Sequence, residues 1–72
     1  MERQTGMVRM VKRDAGYGFI EGDDRAVYFF HRARCVPGTW EKLESGDRVE
    51  FDPVPPEDRG RPRGMNVRRL EG

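Results

Sequence analysis

The chain has 72 residues, 35% hydrophobic and 38% charged, with 14 basic against 13 acidic side chains for a net charge of +1. That length holds one small domain, and so short a chain buries only about 60% of the surface its unfolded form exposes. A second domain, a lidded pocket and a dinucleotide-sized cofactor site are excluded on size, no cofactor is expected, and the charge total excludes a uniformly basic, histone-like binder.

A single domain is expected over residues 1–72, with its core at about 6–70 and residues 1–5 frayed. Runs rich in Val, Ile and aromatic residues predict strands at about 6–13, 17–21, 26–31, 48–54 and 65–70. Asp14-Ala15-Gly16 turns the chain between the first two, and Glu21-Gly22-Asp23-Asp24-Arg25 between the next two. Residues 32–46 form a longer connection broken by Pro37-Gly38 and Ser45-Gly46. Residues 53–64 hold four of the five prolines and many charges, which predicts an exposed loop. The 9 glycines and 5 prolines are scattered, so no helix is predicted. Five short strands point to a closed barrel, because closure removes exposed edges, and both an OB-like Greek key and an SH3-like barrel fit that count.

The longest apolar run, Ala26 to Phe30, is far too short for a membrane span, and the charged first twenty residues carry no signal-peptide block. Cys35 has no second cysteine to pair with, so a reducing, cytoplasmic setting is expected. His31 lies four residues before it, but three or four ligands make a metal site and the chain has no other His or Cys. Cys35 therefore reads as a half-buried structural thiol.

Alternation along the second and third strands sorts their aromatic residues. Ile20, Tyr28 and Phe30 are assigned to the barrel interior, leaving Tyr17, Phe19, Phe29 and His31 outside. Burying everything would require the third strand to be covered on both faces, and a small barrel has one inside. An exposed aromatic cluster on a small soluble domain marks a binding surface. Gly16 and Gly18, on either side of Tyr17, are read as leaving room for a stacked base. Trp40, beside Pro37, Gly38 and Thr39, is either a ligand contact or a plug for the barrel end.

Gly16-Tyr17-Gly18-Phe19-Ile20 resembles the first ribonucleoprotein motif of the bacterial cold-shock proteins, and Tyr28-Phe29-Phe30-His31 resembles the second, at matching spacing. Gly6-Met7-Val8-Arg9, Gly38-Thr39-Trp40, Leu43-Glu44-Ser45-Gly46, Val49-Glu50-Phe51 and Asn66-Val67 follow the same family pattern over about residues 6–69. The resemblance implies an all-β, five-stranded antiparallel Greek-key barrel of the OB-fold type that binds single-stranded RNA or DNA as a monomeric RNA chaperone. It also implies that bases stack on Tyr17, Phe19, Phe29 and His31, with Trp40 capping one end.

Three departures stand out. The family's Trp-Phe-Asn of the first strand is Met10-Val11-Lys12 here, which removes two aromatic platforms while leaving a polarisable thioether. The position after the histidine, commonly aromatic, is Arg32, whose guanidinium stacks on bases and pairs with phosphate. The lysine that usually precedes the first motif is Ala15. Arg9, Lys12, Arg32 and Arg59 are the expected phosphate contacts, predicting a weaker binder with a steeper salt dependence. The competing reading is a barrel that serves protein interaction or structure and has weakened nucleic-acid affinity. Catalysis is not expected: the only histidine is His31, and the acids at Glu21, Asp23 and Asp24 fall in a turn, where charges are ordinarily solvated.

Overall fold

The computed structural model describes residues 3–56 and 60–70. Five strands follow one another as β1 (Gln4–Lys12), β2 (Tyr17–Gly22), β3 (Val27–His31), β4 (Arg48–Val54) and β5 (Arg63–Arg69), and they close into a barrel in the order β1-β2-β3-β5-β4. That order is the Greek key of an OB-fold, which decides between the two barrels that strand count leaves open. Four of the five seams are antiparallel. The exception to the fully antiparallel expectation is β3 against β5, which run parallel and meet at Phe29 and Arg63. Carrying the chain from β3 across to β4 requires the long connection. It forms two single-turn 3-10 helices, Arg32–Arg34 and Trp40–Lys42, where no helix is predicted.

The interior holds Val8, Ile20, Tyr28, Phe30, Leu43, Val49, Phe51 and Val67, drawn from all five strands and, through Leu43, from the connection. Ile20, Tyr28 and Phe30 thus face inward as their alternation predicts. Tyr28 packs its ring 4.8 Å from that of Phe51 and donates its hydroxyl to Asp24 Oδ2 at 2.8 Å, in the β2–β3 turn. Burial and the neighbouring carboxylate push that phenol up to about 12. Cys35 is half-buried against the core, and burial with the charge of Glu41 pushes its thiol up to about 11, as suits a packing residue.

Strand ends differ from expectation where pairing extends the ladder. Gln4 and Thr5 pair with Phe51 and Glu50, and Arg3 bonds to Glu50 at 3.0 Å and Asp52 at 3.1 Å. Residues 3–5 are therefore held rather than frayed, while 1 and 2 lie outside the described residues. Opposite β4, Pro53 pairs with Gly64 and Val54 with Arg63, so β5 begins two residues earlier than predicted.

Two irregularities set which side chains face out. Between Val8 and Met10 the β1–β2 register shifts by one residue, so Val8 faces Ile20 inside whereas Met10 faces Phe19 and Lys12 faces Tyr17 outside. In β5, Asn66 takes a φ of 52°, the register against β4 shifts around it, and its amide donates to Asp52 Oδ2 at 2.8 Å. Asparagine tolerates this left-handed conformation better than most residues.

Gly18 is buried and points inward. A Cβ there would lie 2.5 Å from the Met10 carbonyl and 2.7 Å from Phe30 Cζ. It makes room for the core rather than for a stacked base, which corrects the sequence reading of this glycine. Gly18→Ala is expected to cost about 1–3 kcal/mol through overpacking. For a domain of this size each kcal/mol lowers Tm by roughly 4–8 °C, so thermal unfolding reads the effect, and an unchanged Tm refutes the assignment.

Three turn and edge carboxylates are held below the ordinary aspartate value of 3.8: Asp23 by the Thr5 hydroxyl and Arg48, Asp24 by the Tyr28 hydroxyl and the Ala26 N–H, and Asp52 by Asn66 and Arg3. A depressed carboxylate adds stability that is present above its unfolded value and disappears as pH falls through its folded one. Urea midpoints are thus expected to decline below about pH 4. Asp24→Asn, which keeps an acceptor for Tyr28 but does not titrate, should show a smaller decline; identical pH profiles for the two proteins contradict this account.

Candidate nucleic-acid interface

The outer face of β1, β2 and β3 carries two ranks of side chains set by strand register. Met10, Phe19 and Phe29 form one, and Lys12, Tyr17 and His31 the other. Tyr17, Phe19 and Phe29 touch as a trio, with ring centroids 5.4 Å apart for Tyr17–Phe29, 5.8 Å for Phe19–Phe29 and 5.9 Å for Tyr17–Phe19. Tilted and edge-to-face pairs of this kind support one another while leaving ring faces available. The three rings are half-exposed and His31 is exposed, so the outward assignment made from alternation stands. Met10 is 37% exposed and occupies the end of the first rank. Val11 instead pairs with Gly18 on the inward side and packs against the core. Of the two aromatic positions altered in β1, one therefore faces the platform and the other does not.

His31 is oriented by its own backbone. Its Nδ1 accepts the Ala33 N–H at 3.1 Å, capping the first 3-10 turn. That bond places the ring proton on Nε2, which is left to face solvent as a donor. The carboxylates at the β2–β3 turn bond elsewhere: Asp23 with Thr5 and Arg48, Asp24 with Tyr28 and Ala26, Glu21 with Arg9.

Two sets of basic residues bear on this face, while Arg13, Arg25 and Lys42 belong to neither. Arg3, Arg9, Arg48, Arg68 and Arg69 are ion-paired, with Glu50, Asp52, Glu21, Asp23 and Asp47 supplying the carboxylates. Lys12, Arg32, Arg34, Arg61 and Arg63 make no ion pair among the described residues. This second group borders the platform. Lys12 flanks Tyr17, Arg32 lays its aliphatic stem over Gly16, and Arg63 extends the first rank beyond Phe29. The acids thus neutralise one part of the surface, while the aromatic face is fringed with positive charge that has no carboxylate partner among the described residues, which a net charge of +1 conceals.

Not every predicted contact is placed as expected. Arg9 holds Glu21 through Nη1 at 2.7 Å, so a carboxylate already offsets the guanidinium expected to meet a phosphate. Arg59 lies outside the described residues. Trp40 packs edge-on against Phe30 at 6.1 Å, under Arg13 at 5.7 Å from its ring centre, and Arg13 also donates to the Trp40 carbonyl at 2.8 Å. Its ring therefore sits partly buried against the barrel core and makes no ring contact with the Tyr17, Phe19 and Phe29 trio. Arg61 is a residue that sequence reasoning missed. Its guanidinium stands 5.6 Å from the Phe19 ring centre, within cation–π distance. The available signal was the alternation of arginines through Arg59, Arg61 and Arg63 ahead of β5, which carries Arg63 into the strand.

Comparison with known proteins agrees with this architecture. The family described as the 'Cold-shock' DNA-binding domain matches residues 4–70. A cold shock-like protein of Aquifex aeolicus is 41% identical over 66 residues, covering 90% of this chain and 91% of the relative. Cold shock protein 1 of Lactiplantibacillus plantarum is 38% identical over 64 residues, covering 89% and 94% respectively. The solved structure of drosophila Unr CSD456 superposes with a TM-score of 0.76 at 24% identity over 97% of this chain; the chain spans 27% of that longer one, and the likeness concerns the fold. With the strand order, the outward aromatic trio and a match that runs from β1 to the end of β5, the chain belongs to the cold-shock domain family of nucleic-acid-binding proteins.

Proposed function

We propose that this protein binds single-stranded RNA or DNA by stacking bases on Tyr17, Phe19 and Phe29, with His31 and Met10 at the margins of the platform, and acts as an RNA chaperone in the cytoplasm. The observation that carries this reading is the contiguous, half-exposed aromatic trio on one sheet face, bordered by Lys12, Arg32, Arg61 and Arg63 without carboxylate partners among the described residues. Stacking suits any base, since every base has a π-face, and the cations follow the backbone. A monomer that occupies bases in this way opposes hairpin formation without hydrolysing a nucleotide. Release follows from modest affinity, consistent with methionine in place of a ring at position 10. That same substitution favours the second reading, a barrel serving protein interaction with weakened nucleic-acid affinity.

Phe19→Ala is expected to weaken binding of oligo-dT or oligo-U by about 1–3 kcal/mol, the usual loss of one base–aromatic stack, with little change in Tm because the ring is not part of the core. Calorimetric titration measures the first and thermal unfolding the second. Wild-type protein that binds neither oligomer at low salt, with unmoved Phe19 and Phe29 resonances, decides for the protein-interaction reading.

Trp40→Ala is expected to behave in the opposite sense, lowering stability by ~2 kcal/mol or more as an aromatic is removed from the core margin, while changing affinity less than Phe19→Ala does. Equal stability and a Phe19-sized loss of affinity would place Trp40 on the ligand. Across a salt series, log K should fall against log salt by about 0.7 for each phosphate contacted. A flat line eliminates the compensating role of the cations.

A further inference from the structure

The parallel seam between β3 and β5 is incomplete. It closes at Phe29 and Arg63, where the Phe29 N–H also donates to the Pro62 carbonyl at 3.0 Å, and again at Cys35 and Val67, where the Val36 N–H donates to the Val67 carbonyl at 2.9 Å. From 29 to 35 is six residues, whereas 63 to 67 is four, so the first chain bows outward through the Arg32–Arg34 turn. The bow leaves an open groove of about 730 Å³ beside the platform, with Phe29, His31 and Met65 on its walls and Arg34, Arg61 and Arg63 around it. That volume falls in the ~300–1,000 Å³ range of small-ligand sites. Among the described residues no carboxylate lines it, and its three guanidinium groups make no ion pair with any of them.

We propose that this groove takes one further nucleotide of the strand stacked on the platform, with its phosphate held by Arg34 and Arg63 and its base laid between Phe29 and Met65. The proposal rests on the single-strand reading above and extends it. Three features select this occupant. The groove shares Phe29 and His31 with the platform, so a strand leaving the last stacked ring enters it without a gap. Among the described residues its fixed charges are all guanidinium groups, whose planar donors match phosphate oxygens. Its lining includes the Phe29 ring and the Met65 thioether, an apolar, polarisable surface for a base. Arg61 stands between the two regions, over Phe19 on one side and lining the groove on the other.

The test is a length series of oligo-dT, within the ~4–16 nucleotide range of OB-fold sites, titrated calorimetrically into wild-type protein and the Arg34→Ala/Arg63→Ala double variant. The expected result is a roughly tenfold loss for the longer oligomers with less than about a twofold loss for the shortest that binds, as fits two charge-assisted contacts confined to the added nucleotide. For the long oligomers the salt slope should become shallower by about 0.7, the share of the one phosphate that both guanidinium groups hold. An equal loss at every length, or no loss at all, overturns the proposal. In wild-type protein, the Met65 methyl resonance should move with long oligomers and stay in place with the shortest, a readout independent of how the variant folds. A Met65 response to an acidic peptide but not to oligo-dT overturns it in favour of a protein partner. Wild-type protein that binds no oligomer of any length removes the single-strand reading itself, an outcome separate from failure of the length dependence.

Discussion

Closure of five short strands around a single interior is the constraint on which the rest of the molecule depends. Phe30, Phe51, Tyr28, Ile20, Leu43 and three valines occupy that interior, and Gly18 is a glycine because a Cβ would meet the Phe30 ring. With the inside occupied, the remaining apolar side chains of β2 and β3 have no second core to enter. Tyr17, Phe19 and Phe29 are thus left on the outer face, where they support one another in contact. The binding surface is a consequence of how little space the core offers, because the hydrophobic gain from burial is available on one face of each strand only.

Closure also requires irregularity, and the irregularities carry functional weight. The shift between Val8 and Met10 turns the second half of β1 over, so that Met10 and Lys12 join the platform and Val11 packs inward. The unequal span between the two closures of the β3–β5 seam bows the first 3-10 turn outward and opens the groove beside Phe29. Neither is a defect in an otherwise regular sheet. Bulges concentrate at barrel rims, where they redirect side chains.

Electrostatics follows the same division of the surface. The carboxylates of Glu50, Asp52 and Asp47 hold Arg3, Arg68 and Arg69 along β4 and β5, while Arg32, Arg34, Arg61 and Arg63 surround the aromatic face without such partners among the described residues. Exposed ion pairs of this kind add little stability individually. Their larger effect is on the distribution of charge, because pairing on one side leaves an attractive field on the other within a Debye length of about 8–10 Å at moderate salt.

Much of this was legible in the residues themselves. Alternation along β2 and β3 is a local property of the backbone, so the inward Ile20, Tyr28 and Phe30 and the outward Tyr17, Phe19 and Phe29 follow from sequence order alone, as do five strands and, through two motifs at fixed spacing, the family. What sequence order does not contain is distance across the barrel. The roles of Gly18, Trp40 and Arg61 depend on Phe30 and Phe19, residues of other strands or distant loops, and the ion pairing of Arg9 depends on Glu21 across a hairpin. The turned-over half of β1, the early start of β5 and the parallel seam likewise arise only when strands are brought into register. Periodicity states which face a side chain takes; pairing between strands decides what that side chain meets there.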